Sequence, residues 1–228
     1  MRIGGNILKD YKTPEEWLAL VKDLGYSTVL SPVAKISATE EEIEAYLTCA
    51  AENNITIGEV GIWNNPMSLN DKERLEAIAY SKHRLRLADQ LGANCCVNIA
   101  GSKGEVWSEL YEENYSQATY DQLVITIQEI LDEVKPINTY FTIEPMPWMV
   151  PDSPEQYLKL IKDVNRERFG VHLDFVNMIN SPKKFAQSDA FITKCFDLLG
   201  PYIKSIHLKD LRKIEGYPIP VSYTHLRA

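Results

Sequence analysis

A parallel (β/α)₈ barrel short of its eighth strand–helix unit is the fold this sequence predicts, and three observations point there. Short apolar, β-branched runs alternate with capped helical stretches along all 228 residues, a rhythm that gives a parallel sheet covered by helices. Three of those runs end on a polar residue: Glu144 in YFTIEPM, Asp174 in FGVHLDF and His207 in IKSIHLKD. They lie 30 and 33 residues apart, about one strand–helix–strand unit each. Finally, Gly4-Gly5 lies inside the first strand and fits neither the GxGxxG nor the Walker pattern that a doubly wound open sheet would carry after it.

The elements follow in order. Residues 2–6 form a short first strand. Thr13-Pro14-Glu15-Glu16 then opens a helix, a capping threonine with proline in the first turn, and the helix runs to Gly25. Residues 28–31 are the second strand. Thr39 begins the next helix, with Glu42 three residues on as in a capping box. Strand 55–62 precedes a long helix, 70–91, closed by Gly92. Strand 95–100 precedes helix 115–134, and strand 140–144 precedes helix 153–164. Strand 169–174 precedes a single helix, 182–199, closed by Gly200, and residues 203–207 are the seventh strand. A complete barrel of this kind takes about 250 residues, so residues 1–220 read as one barrel domain lacking a unit. After Lys209-Asp210-Leu211, KIEGYPIP reads as loop. VSYTHLRA, residues 221–228, reads as a non-native tail similar to translated adapter sequence, which sets His225 aside as a ligand.

Hydrophobic residues at 45% and charged residues at 25% are ordinary for a soluble globular chain. A net charge of −8 with no basic run of five argues against nucleic acid as a partner; an acidic surface serves solubility. The start, MRIGGNIL, lacks the apolar core of a signal peptide, and no apolar run nears the length of about 18 residues that a span needs. The expectation is a cytoplasmic protein with no membrane partner. Cys49, Cys95, Cys96 and Cys195 show no CxxC spacing and read as reduced thiols.

In a closed parallel barrel the C-terminal strand ends gather at one rim and carry the active site. Glu144, Asp174 and His207 would converge there. Two carboxylates and an imidazole form a ligand set for one divalent metal ion, Mn²⁺, Mg²⁺ or Zn²⁺. The same set suits removal of a proton next to a carbonyl, which needs a carboxylate near the carbon and an electrophile on the oxygen. Glu144 is the catalytic candidate, ligand through one oxygen and base through the other. Each residue alone has a plainer reading: Glu144 as a buried ion-pair partner, Asp174 as a helix N-cap, His207 as a satisfied core histidine. Three of them at equivalent strand ends favour a shared site.

The segments TIEPMPW, VHLDFVNMINSP and IKSIHLKD resemble the metal-bearing segments of the sugar phosphate isomerase/epimerase superfamily, the xylose isomerase-like TIM barrels. That superfamily includes ketose 3-epimerases, hydroxypyruvate isomerases, inosose dehydratases and endonuclease IV. Strand order is similar throughout, but the specific motifs run only from about Tyr140 to Asp210. The resemblance implies that Glu144 is the strand-five glutamate that binds metal and shuttles a proton, Asp174 the strand-six ligand and His207 the strand-seven ligand. It also implies a fourth ligand and second base, a glutamate on an eighth strand before which this sequence stops. The activity implied is a divalent-metal-dependent sugar isomerase or epimerase of carbohydrate metabolism, working through an enediolate on a small sugar or polyol-derived ketone. An inosose dehydratase-type lyase shares the metal and the base. A non-catalytic sugar-binding barrel, or an inactive fragment, is the alternative from another class. An endonuclease IV-like site wants histidines, where this chain has Trp63 and Ala100 after strands three and four and Asn177 three past Asp174.

Five further residues are substrate-binding candidates. His172 lies two before Asp174 and shares its face, and Lys209 lies two after His207. Asn177 can hydrogen-bond a hydroxyl but is a poor metal ligand. Trp63 and Trp148 follow strands three and five, where their ring faces suit the C–H surfaces of sugars. The structural alternatives are a packed barrel-layer histidine, a lysine ion-paired to a loop neighbour, and tryptophans that only shield the rim. Gly101-Ser102-Lys103-Gly104 is a candidate lid. A homo-oligomer is compatible with all of this.

Overall fold

The structure is a computed structural model that describes residues 1–33, 38–214 and 217–221, with side chains through Leu211. Seven parallel strands form one sheet in sequence order: β1 (Gly4–Gly5), β2 (Thr28–Leu30), β3 (Thr56–Gly61), β4 (Cys95–Ile99), β5 (Tyr140–Glu144), β6 (Phe169–Leu173) and β7 (Ile203–Ile206). Between them run α1 (Pro14–Asp23), α2 (Glu40–Glu52), α3 (Asp71–Gln90), α4 (Gln117–Val134) and α5 (Pro154–Val164). A flat sheet would set β3 and β7 about 19 Å apart, four steps of about 4.8 Å. Glu59 of β3 instead lies 3.1 Å from His207, just past β7. The sheet is therefore curled as a barrel wall, and this curl builds the site.

Local chemistry starts and stops the helices. Thr13, Thr39, Asn70, Ser116 and Ser153 each accept a backbone N–H of the first turn with their side chains, satisfying donors that a helix start leaves unpaired. Gly92 (φ +56) takes the left-handed turn after α3, a conformation that costs glycine little. The outward strand faces pack on the helices through side chains such as Val60, Phe141, Ile143 and Leu173, all buried. Tyr157 of α5 is fully buried, and its hydroxyl donates to the Ile143 carbonyl at 2.6 Å, tying that helix to the strand that ends in Glu144. A register slip between β6 and β7 pairs Val171 with Ile203 but His172 with Ser205. This bulge sets Ser205 level with His172.

Four local features depart from the sequence expectations. The helix expected over 115–134 begins at Gln117, after a 3₁₀ turn over Glu112–Tyr115. Asp174 caps a one-turn helix, α6 (Phe175–Met178). The single helix expected over 182–199 is two, α7 (Pro182–Ala186) and α8 (Ser188–Leu199), parted at Gln187, whose backbone leaves the helical region (φ −117, ψ 26). The stretch expected as loop after Leu211 forms an antiparallel hairpin, β8 (Asp210–Ile214) with β9 (Tyr217–Val221). Val221 closes β9, and the rest of the expected tail, His225 included, lies outside the described residues. All four cysteines are free, three of them buried, and burial pushes the Cys95 and Cys96 thiols up. No described helix is long and apolar enough to cross a membrane.

Candidate functional site

The ends of β5, β6 and β7 bring Glu144, Asp174 and His207 together. One ligand atom from each lies within 4.8 Å of the others. The His207 backbone N–H donates to the Leu173 carbonyl at 3.1 Å, carrying the parallel ladder one residue past β7 and holding His207 beside Asp174. His207 Nδ1 lies 3.2 Å from Glu144 Oε1. Two ligands about 2.1 Å from one ion are separated by about 3.0–3.5 Å, so this pair already has the spacing of a shared ion. Asp174 is fully buried. Its Oδ1 accepts the Asn177 N–H at 3.0 Å as the cap of α6. Its Oδ2 sits 2.5 Å from Lys209 Nζ, at an angle that gives it no directed hydrogen bond. Capping and a ligand role are thus not rivals for Asp174, because Oδ1 serves the cap and Oδ2 is left for a ligand.

Beneath this rim lies a second layer that the sequence reading missed. Glu59, 4% exposed, accepts from three directions. His172 Nε2 approaches Oε1 at 3.1 Å and His207 Nε2 approaches Oε2 at 3.1 Å. The Ser205 hydroxyl also donates to Oε1. Glu59, His172 and His207 form a second group whose ligand atoms lie within 4.8 Å. The signal for Glu59 was present in TIGEVG: a lone carboxylate inside an otherwise uncharged strand. Burial of such a group needs partners.

Opposed fields set the protonation states. Burial works against ionisation of Glu144, but the His207 hydrogen bond, the charges of His172 and His207 and the Trp63 N–H outweigh it and bring the carboxyl down to about 2. Burial likewise opposes the charged form of Glu59, and its histidine contacts overcome it, holding the carboxyl well below the usual range. Asp174 goes the other way. Burial dominates, the nearby Glu144 charge adds to it and Lys209 only partly offsets both, so the carboxyl rises to about 6. Burial would lower His207, yet Glu144 and Glu59 raise it to about 10. Apart from His172, three carboxylates thus face the Lys209 ammonium and the His207 imidazolium, a cluster one positive charge short of balance. Exchange of the imidazolium proton for a divalent ion would bring that sum to neutral.

The remaining sequence candidates occupy distinct places. Trp63 sits at the mouth with positive φ (45°). Its indole N–H donates to Glu144 Oε2 at 2.6 Å, and its ring stacks 6.5 Å from the His207 ring. Lys209 meets Asp174, and His172 is sealed against Glu59. The Asn177 amide donates to the Pro145 carbonyl at 2.9 Å. Trp148 packs edge-on to Trp107, centroids 5.8 Å apart, on the loop after β5.

Residues 18–225 match the family described as xylose isomerase-like TIM barrel. The chain belongs to that family. Solved structures share its fold at low identity, among them a xylose isomerase-like TIM barrel protein. That protein, from Mycobacterium smegmatis and in complex with magnesium, is 16% identical with a TM-score of 0.67, covering 98% of this chain and 81% of that one. A D-psicose 3-epimerase solved in the presence of D-fructose is 16% identical with a TM-score of 0.67, covering 93% and 76%. A probable 3-DHS dehydratase from Bacillus anthracis is 20% identical with a TM-score of 0.66, covering 89% and 69%. No curated protein matches the sequence. Within this xylose isomerase-like barrel the rim donors fit a divalent ion on their own chemistry: two carboxylates, one imidazole, and a buried Asp174 Oδ2 that lacks a directed donor.

Proposed function

We propose that this protein is a divalent-metal-dependent sugar isomerase or epimerase that moves a proton next to the carbonyl of a small sugar or polyol-derived ketone. The observation that carries the reading is the convergence of Glu144, Asp174 and His207 at the ends of neighbouring strands. Glu144, Asp174 and His207 would hold one Mn²⁺, Mg²⁺ or Zn²⁺. That ion would supply an electrophile for the substrate oxygens. Glu144 is the base. Its Oε2 accepts one hydrogen bond from Trp63 and keeps lone-pair capacity for a carbon-bound proton. In an isomerisation the same carboxyl returns the proton to the neighbouring carbon of the enediolate; an epimerisation needs a second base on the opposite face. Lys209, which lies against Asp174, would be available to a substrate oxygen once an ion balanced that carboxylate. Trp63 and Trp148 offer ring faces to the sugar at the mouth, while the buried His172 holds Glu59 and Asn177 braces the turn after Asp174 against the Pro145 carbonyl. A cytoplasmic protein acting on small molecules, without nucleic acid or membrane partners, belongs to the same reading.

The test uses purified protein stripped with a chelator and reloaded with Mn²⁺ or Mg²⁺. Incubation with a panel of ketoses and inososes in D₂O is followed by NMR for deuterium at the carbon next to the carbonyl. Ion-dependent incorporation is expected. Sugar binding without exchange under any ion would make the protein a binder and end the proposal; loss of water from an inosose would make it a lyase.

A further inference from the structure

We propose that Glu59 is a positioning residue: it orients the His207 ring and fixes it as the Nε2–H tautomer, so that Nδ1 presents its lone pair to the ion held with Glu144 and Asp174. The inference rests on the metal-centre reading above and deepens it.

The geometry leaves little freedom. An ionised carboxylate only accepts, so the 3.1 Å contact from His207 Nε2 to Glu59 Oε2 requires a proton on Nε2. In a neutral imidazole the other nitrogen then carries the lone pair. That nitrogen, Nδ1, is the one 3.2 Å from Glu144 Oε1. Glu59 is itself immobilised, since His172 and Ser205 both hold Oε1. The His207 ring is hemmed in on two sides: His172 stands edge-on to it at 4.1 Å and 85°, and Trp63 stacks on it. Its backbone is tied to Leu173. A ligating histidine held by a carboxylate on its far nitrogen is oriented and made more basic. A competing arrangement would place a second ion among Glu59, His172 and His207. It would need lone pairs on both Nε2 atoms at once, and an imidazole bridging two ions must give up both its protons.

The experiment measures Mn²⁺ stoichiometry and affinity by calorimetry on the metal-stripped protein and two variants. Wild type should bind one equivalent. Asp174→Asn should weaken binding, as the parent reading requires. Glu59→Gln, which keeps shape but offers a single acceptor oxygen, should still bind one equivalent about 10–100-fold more weakly. Absence of binding in wild type, or wild-type affinity in Asp174→Asn, would sink the metal centre itself. Weakened Asp174→Asn beside an unaffected Glu59→Gln would sink only the role of Glu59. Two equivalents in wild type falling to one in Glu59→Gln would make Glu59 a ligand of a second ion and overturn the proposal. Should Glu59→Gln not fold, a long-range ¹H–¹⁵N spectrum of Zn²⁺-loaded wild type decides. It should show a His207 proton on Nε2 and the ion on Nδ1; the reverse assignment refutes the inference.

Discussion

The floor and the rim of this site handle buried carboxylates in opposite ways. On the floor, Glu59 collects three donors and is held well below the ordinary carboxylate range. On the rim, Asp174 is at least as buried yet rises to about 6, with one directed donor and an ammonium placed off-axis. Depth therefore does not decide which acid is stabilised; the number of aimed N–H and O–H groups does. A fully satisfied carboxylate is scaffold. One with an unspent lone pair beside a cation keeps the capacity to bind.

The strongest way to break this contrast is to remove the floor. Glu59→Ala leaves two imidazoles and a hydroxyl without their acceptor, and an unpaired buried polar cluster costs on the order of 3–5 kcal/mol. Urea unfolding of the metal-stripped protein should show that loss; a change under about 1 kcal/mol would mean that the floor does not differ from the rim. Glu144→Gln should cost clearly less, because an amide oxygen still accepts the Trp63 N–H. Its effect belongs in turnover, which should fall by about 10² or more with substrate affinity largely kept. Steady-state kinetics showing a raised KM and unchanged kcat would move the base elsewhere.

A third prediction concerns pH and metal removal. His207 is raised to about 10 in the folded protein, above its ordinary value of about 6.5. The folded state therefore binds the extra proton, and the stabilisation is complete below about pH 6.5 and lost as pH climbs to about 10. Thermal midpoints of stripped protein should fall across that window, with a slope of at most about 1.4 kcal/mol per pH unit. Saturating Mg²⁺ replaces the proton and should flatten the curve, as should His207→Gln. A slope that survives both would assign the titration to another group. The smallest expected effect is Trp63→Phe. It removes one donor from Glu144 Oε2, so the Glu144 carboxyl shifts upward from about 2. The acid limb of kcat/KM should move up by less than about one pH unit, one neutral hydrogen bond's worth.

Much of the rim could be read from the chain, because Glu144, Asp174 and His207 each close an apolar run and the helix caps mark the intervals between them. The floor could not be read the same way. Glu59 sits within β3 rather than at its end, and its partners His172 and Ser205 come together only through curl and the β7 bulge, neither of which has a sequence period. The break at Gln187 carries no glycine or proline to announce it. Pro218 and Pro220 hid β9, since proline usually argues against a strand. Spaced two apart, they leave their missing N–H groups on one edge of the hairpin, where the ladder does not need them.

The indole of Trp63 lies stacked over the His207 imidazole, whose second proton the proposed ion would displace. A protonated imidazole accepts an excited electron from indole readily; a neutral one does so poorly. Trp63 is 41% exposed and stands at the mouth, so its emission should be dim while His207 holds two protons and brighten when one is displaced. The protein would thus carry an optical gauge of the proposed centre, and titration with a diamagnetic ion such as Mg²⁺ would read out occupancy as light, with no label and no substrate.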